Sequence, residues 1–309
     1  MDLNIGSIFN YTFLIATILI FGAISCYFSE RVGIANISIE GQMIFAALSF
    51  VIFAELIYPK LGDESFILPL IIGSIMTLLS SSIFAFLTIN LKANQIVAGT
   101  AINIVFLGLA TFLTEPLGPL LSNGIHTKLQ SQYLSMVQFG ESNIYLTSIL
   151  IFISALIIVG GVYLLIKRTP LGLRFRAIGN NPNAVDAQGI NVLKYQWIAL
   201  TISGAFAGLA GGIYMYTFGG TFSGNINGYG FLALAILIAG SWRIPLLTIV
   251  AIAFSFLTRL FNQITISTSL DTDIAKIIPF GITLLALVVF SWYDVAPKNL
   301  GIPFDKTKR

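Results

Sequence analysis

The chain has 309 residues, 56% of them hydrophobic and 9% charged, with 16 Lys and Arg against 13 Asp and Glu. A water-soluble domain carries roughly a quarter charged residues, so this composition, with a mean hydropathy of +0.91, excludes a soluble enzyme or nucleic-acid-binding domain and points to an integral membrane protein. The single cysteine, Cys26, excludes an internal disulfide and leaves no cysteine cluster for a metal.

Met1-Asp2-Leu3-Asn4-Ile5 carries no Lys or Arg ahead of the first apolar run. A secretory signal begins with a basic segment, so residues from about Phe9 to Phe28 are read as a retained span. Further apolar runs lie near 41–58, 67–91, 96–114, 144–166, 196–217, 229–241, 244–262 and 274–293. About twenty apolar residues suffice for a helix to cross the hydrocarbon, and the alternating segments of a membrane barrel are absent. The expected fold is all-α: one polytopic transmembrane bundle over residues 1–309, with eight or nine spans. The run at 229–241 is short for a crossing and reads as a half-helix.

Several connections interrupt these runs. Ser29 to Gln42 places two glycines and several polar side chains where helix would otherwise continue. It admits two readings: a loop with Glu30 and Arg31 at the headgroups, or a break of the kind that lines transport paths. Asn36, Ser38 and Glu40 recur every second residue, as an extended stretch with one polar face would have them. Gln95, Gly99 and Asn103 are four apart and share one helical face, for close packing or for a ligand. The small residues Ser203, Gly204, Gly208, Gly211 and Gly212 read as helix packing. Ser223 to Phe231 is glycine-dense and opens the half-helix, whose N-terminal N–H groups could face a polar ligand.

The loop at about 167–195 is a basic island that includes Lys167, Arg168, Arg174 and Arg176. Asn181 suits an N-cap, Pro182 the first helical position and Gly189 a left-handed C′ residue, which predicts a short helix from Pro182 to Gln188. Ala184, Val185 and Ala187 make it small and apolar. Two turns are unstable alone, so this helix must rest on the spans, on a partner, or on both. Arg174 and Arg176 are candidates to meet lipid headgroups or a partner's carboxylates.

Lys60 and Lys128 fall in connections at 59–66 and 115–143, whereas most other cations fall at 92–95, 167–195, around Arg243 and in the tail 294–309. The excess of Lys and Arg in cytoplasmic loops therefore predicts an N-terminus outside and a C-terminus inside, with Trp197, Trp242 and Trp292 at the cytoplasmic interface. His126 stands in an outer loop without catalytic company, and Arg259 has Asp271 and Asp273 as candidate partners. No nucleotide-binding, metal-ligating or nucleophile motif is present, so no catalytic residue or bound metal is expected. An ion-coupled secondary transporter would need acidic relays, and Glu40 alone is a candidate; a membrane enzyme would need convergent His, Asp, Glu or Cys.

Five blocks carry a family resemblance: Glu30–Gly41, Asn94–Asn103, Thr169–Pro182, Ser203–Gly212 and Gly228–Ile236. In this order they resemble the permease subunits of bacterial ABC importers of the ribose and branched-chain amino-acid superfamily, most nearly the nucleoside and simple-sugar uptake permeases. The resemblance implies a cytoplasmic-membrane importer of nucleosides, with a simple sugar such as ribose or galactose as the alternative. It implies a second, paralogous permease, an extracytoplasmic binding lipoprotein, and a separate ATPase, with both nucleotide sites on one polypeptide in some members, that holds the ATP and Mg2+. Under it, the Pro182 helix becomes a coupling helix, with Arg174, Arg176, Asn181, Pro182, Ala184, Val185, Asp186, Ala187 and Gly189 as coupling residues. Asn36, Ser38, Glu40, Gln95 and Asn103 become candidates for the substrate path.

Overall fold

A chain that enters lipid must satisfy its backbone internally, and the apolar runs do so as helices. A computed structural model describes residues 5–61, 66–114, 116, 136–139, 142–218, 222–268, 281 and 296–305. In order these form α1 (Ile5–Arg31), α2 (Ile39–Leu61), α3 (Ile67–Ala85), α4 (Gln95–Thr114), β1 (Met136–Phe139), β2 (Ser142–Tyr145), α5 (Leu146–Arg168), α6 (Pro170–Asn180), α7 (Pro182–Ala187), α8 (Val192–Phe218), α9 (Tyr229–Ala239) and α10 (Ile244–Thr268). Among the described residues seven helices are long and apolar enough to cross a membrane, and α9 is the short apolar helix expected at 229–241. The apolar run at 274–293 lies outside the described residues apart from Gly281, as do Asp63, Glu64, His126, Lys128, Asp271, Asp273 and Trp292. The loop at 115–143 ends in an unanticipated antiparallel hairpin, with Met136 opposite Tyr145; the Tyr145 N–H donates to Asn10 Oδ1 at 2.9 Å.

Helix α1 is the interior post: 94% of its apolar window is buried, against 22% for α5 and 28% for α4 and α10. It packs on α8, α10, α9 and α5, while α8 also packs on α2 and α3. The peripheral helices turn large apolar side chains outward, among them Ile104, Phe112 and Ile157, as lipid or another membrane subunit requires. Many Ser and Thr hydroxyls donate to a carbonyl one turn back, as Thr17 does to Phe13 and Thr77 to Gly73. Those hydroxyls therefore sit in an apolar bundle without stranded donors.

The small-residue stripe of α8 is packing, as expected. A β-carbon on Gly208 would lie 2.4 Å from Ser74 Cα of α3, and one on Gly211 would lie 2.3 Å from the Met43 carbonyl oxygen of α2. Backbones approach here at distances no side chain permits. Near its end α3 widens into a π turn, Phe86–Asn90, and Asn90 Oδ1 accepts the Trp197 indole N–H. Arg259 does not display a carboxylate partner among the described residues: it donates to Ser7 Oγ and lies over the Tyr11 ring at 4.3 Å.

A paired substitution tests the seam. Gly211→Ala should destabilise by about 1–3 kcal/mol through overpacking, whereas Gly160→Ala on α5, where nothing lies within 4 Å, should be neutral or slightly stabilising. Thermal unfolding midpoints of the two variants in one detergent measure the difference.

Candidate functional site

The break between α1 and α2 is built from short-range turns. The Gly33 N–H donates to Glu30 O and the Ile34 N–H to Ser29 O, closing α1 with Gly33 at φ +86°. Beyond residues 34–36 the chain re-enters helix under an Asn36 cap. Asn36 Oδ1 accepts from the Ser38 N–H at 3.1 Å and from Ser38 Oγ at 2.5 Å, and Ser38 Oγ accepts from Gln42 Nε2 at 2.8 Å. Asn36 Nδ2 reaches Ser203 Oγ of α8, which also pairs with Ser25 Oγ of α1. Asn36, Ser38 and Gln42 are fully buried, so this polar chain ties α1, α2 and α8 together inside the bundle. Gln42 Oε1 is its one acceptor without a partner among the described residues.

The alternation of Asn36, Ser38 and Glu40 does not form an extended strand with one polar face. Ser38 lies in a turn and Glu40 in the first turn of α2, because local capping bonds satisfy this backbone better than an unpaired extended stretch would.

Helix α4 is laid along the break residue by residue. Gln95 Oε1 accepts the Ala35 N–H at 2.7 Å, Asn103 Nδ2 donates to Ile37 O at 2.9 Å, and Asn103 Oδ1 accepts the Gly41 N–H at 2.7 Å. Gly99 lies between them, where a β-carbon would come within 3.1 Å of the Ser38 nitrogen. The four-residue spacing thus supplies a donor and acceptors to backbone groups of the break and of the first turn of α2 that local bonds leave open.

Glu40 closes the arrangement. Its Oε1 accepts the Gly228 N–H at 3.0 Å and its Oε2 the Gly230 N–H at 2.7 Å. These amides belong to the start of α9, entered through Asn227 and Gly228 with positive φ. A β-carbon on Gly230 would lie 2.6 Å from the Glu40 backbone nitrogen and Cα, so glycine is required for this approach. The N-terminus of the half-helix is therefore not open to a ligand at those two amides: the chain's own carboxylate fills it. Charge and helix dipole reinforce each other there.

At the end of the molecule that carries the basic loop, two short helices follow one another. Helix α6 starts with Thr169 as cap, its hydroxyl accepting from the Gly172 N–H, and Pro170 in the first turn. Helix α7 repeats the device with Asn181 Oδ1 accepting from the Ala184 N–H at 3.0 Å and Pro182 behind it. It ends near the expected point, with Gly189 at φ +78°. The 167–195 loop thus contains an eleven-residue helix, α6, that the sequence reading did not separate from the loop. Phe175 and Ile178 face inward, and the Phe175 ring meets Phe28 edge-on at 6.2 Å. Gly179 rests on the end of α1, where a β-carbon would lie 2.4 Å from Arg31 O.

The coupling candidates divide by exposure. Pro182 and Val185 are buried, Asp186 is half-buried, and Asn181, Ala184, Ala187 and Gly189 are exposed. Arg174 is held inside the chain, hydrogen-bonded to the Tyr195 hydroxyl with its guanidinium 5.3 Å from the ring centre. Arg176 is half-buried and donates to Gly172 O. A C-terminal strap, absent from the sequence reading, backs α7. The Asn299 N–H donates to Gly179 O, the Gly301 N–H donates to Gly33 O, Phe304 is buried and Asp305 pairs with Lys92 at 2.7 Å. Residues Asn299 and Ile302–Asp305 line a shared cleft with Pro182 and Asn183.

The sequence profile of the family described as "branched-chain amino acid transport system / permease component" matches residues 7–287. The chain belongs to this permease family. The permease is 35% identical over 303 residues to protein MG121 of Mycoplasma genitalium, covering 96% of this chain and 97% of that one. It is 35% identical over 313 residues to the guanosine ABC transporter permease protein NupQ of Bacillus subtilis, covering 96% of each chain. It is 32% identical over 301 residues to the nucleoside ABC transporter permease protein NupC of Lactococcus lactis subsp. cremoris, covering 95% of each.

Glu40 is the residue whose removal the permease should feel most. Glu40→Ala strands the buried Gly230 N–H and the half-buried Gly228 N–H, and hydrogen bonds to charged groups contribute about 1.5–3 kcal/mol each. A loss of roughly 3 kcal/mol or more is expected, with Glu40→Gln intermediate because its amide oxygen can still accept one bond. Denaturation of the purified variants in detergent checks this order.

Proposed function

We propose that this permease is the membrane subunit of an ATP-driven importer of nucleosides. It works beside a second, paralogous permease, a separate ATPase and an extracytoplasmic binding protein. The observation that carries the substrate class is the near full-length similarity to the guanosine and nucleoside permeases named above. Among the described residues, no group of three or more His, Cys, Asp or Glu gathers to hold a metal, and Glu40, the candidate for an ion relay, is engaged with the start of α9.

The basic end, with Arg31, Lys167, Arg168, Arg174, Arg176, Lys194 and Arg243, faces the cytoplasm in this reading, as the bias of Lys and Arg toward cytoplasmic loops favours. The exposed Ala184, Ala187 and Gly189 surface of α7 meets the ATPase. The other coupling candidates, including Arg174, Arg176 and Val185, hold that surface in place. Displacement of α7 carries α6, whose Gly179 rests on Arg31 O. From there it passes through residues 32–38 to Glu40 and the start of α9. Asn36, Ser38, Glu40, Gln95 and Asn103 act along the translocation path by fixing this joint. ATP then moves substrate only through the difference in contacts that the two states of the joint offer.

Reconstitution with the partner subunits tests the proposal. Guanosine uptake into vesicles should require ATP and vanish with a hydrolysis-dead ATPase. Ala187→Asp should cut uptake at least tenfold while membrane insertion and the unfolding midpoint stay unchanged. Uptake driven by an ion gradient without ATP, or normal ATP-driven uptake by Ala187→Asp, would contradict it.

A further inference from the structure

A pocket of about 420 Å³ opens at the basic end, between the C-termini of α1 and α5, helix α6 and the start of α10. Four cations line it: Arg31, Lys167, Arg176 and Arg243, with Tyr163 and Trp242 among the aromatic residues beside them. Part of this positive charge has a structural role, because Arg31 and Lys167 sit in the last turns of α1 and α5 and complement those helix ends. That role does not account for Arg176 and Arg243, which occupy no helix C-terminus.

Nor are the four charges balanced by carboxylates among the described residues, where the ion pair found is Lys92 with Asp305. Lys167 donates to the Tyr163 hydroxyl at 2.7 Å, and Arg176 to Gly172 O. The Arg31 guanidinium lies 5.9 Å from the Tyr27 ring centre, and its Nε is buried without a hydrogen-bond partner among the described residues. Glu30 is engaged with the Trp242 indole at 2.7 Å. Gathering four cations in one concavity costs repulsion unless an anion joins them.

We propose that this pocket binds the phosphate of an anionic phospholipid headgroup. Its volume falls in the range of about 300–1,000 Å³ typical of ligand sites. It sits at the ends of helices long and apolar enough to cross a membrane, and Trp and Tyr favour the headgroup level where such helices end. Exposed apolar side chains also lie along α5 on the N-terminal side of Lys167. Leu164, three residues before Lys167 and on the same side of α5, is 57% exposed, and Ile157 is 70% exposed. An acyl chain can follow this face while the phosphate meets Arg31, Lys167, Arg176 and Arg243. A soluble anion has no use for that track. Basic pockets between helices are a recognised way to hold such headgroups.

The test uses the purified full-length permease in detergent, titrated with phosphatidylglycerol, phosphatidylcholine or inorganic phosphate, and read by native mass spectrometry and thermal unfolding. Phosphatidylglycerol should give a bound adduct and raise the unfolding midpoint, and the other two should do neither. Each cation near an anionic surface contributes about 1 kcal/mol, so Lys167→Gln should weaken binding about fivefold. Lys167→Gln with Arg243→Gln should weaken it about 25-fold. Both residues are exposed, so the variants should fold, and equal unfolding midpoints in phosphatidylcholine verify that. Arg168→Gln and Lys194→Gln, outside the pocket, should bind as the unaltered chain does. Undiminished phosphatidylglycerol binding by the double variant, equal binding of phosphatidylcholine, or the same stabilisation by inorganic phosphate would each overturn the proposal.

Discussion

A helix that begins inside a membrane protein exposes N–H groups that no water can satisfy, and each unsatisfied group costs several kcal/mol. The start of α9 meets this constraint with the Glu40 carboxylate, one oxygen on Gly228 and the other on Gly230. The same contact answers the opposite problem, a buried carboxylate that needs donors. Much of the surrounding architecture follows from it. Glu40 must stand in the first turn of α2, so α2 must begin at depth, and α1 must end before it. The segment between them loses helical bonding and takes it instead from Gln95 and Asn103 of α4. Gly230 is a glycine because the backbones approach too closely for a side chain, and at Gly99 a β-carbon would press tightly on Ser38.

The end of the molecule that carries α7 obeys a different constraint. Six residues, Pro182–Ala187, cannot hold a helix by themselves in water. The chain fixes α7 with a cap at Asn181, a fixed φ at Pro182, a left-handed exit at Gly189 and an apolar contact through Val185. Helix α6 and the C-terminal strap then bind this element to the end of α1 through Gly179 and Gly33. Because α1 is the most buried of the described spans, a load applied at α7 in the proposed coupling would enter the bundle through its interior helix. The break at 32–38 comes next along the chain, and Glu40 lies just beyond it.

What could be read from the sequence follows the range of the interactions. Spans rest on composition, so the described ones match their apolar runs to within a few residues. The ends of α7 rest on local capping, and Asn181, Pro182 and Gly189 place them well. Helix α6 carried the same signature in Thr169-Pro170, read as loop because the residues after it are basic and glycine-containing. Glu40 was legible as a consequential charge, but its partners lie 188 and 190 residues away. No spacing rule reports such a pairing, so the start of α9 looked open to a ligand. The strap is hidden for the same reason: backbone groups, which carry no sequence signal, make its ties to Gly179 and Gly33. Val185 suited a partner contact by composition, yet an apolar residue on so short a helix is needed inward.

The proposed coupling depends on a mechanical connection between α7 and the start of α9. Amide hydrogen exchange at Gly228 and Gly230, followed in the reconstituted complex with and without bound ATP, measures it at the atoms concerned. Exchange should be slow without nucleotide, at least tenfold faster or slower when ATP is bound, and unchanged by ATP when Ala187→Asp disconnects α7. Identical exchange at these amides in the native complex with and without ATP would contradict it.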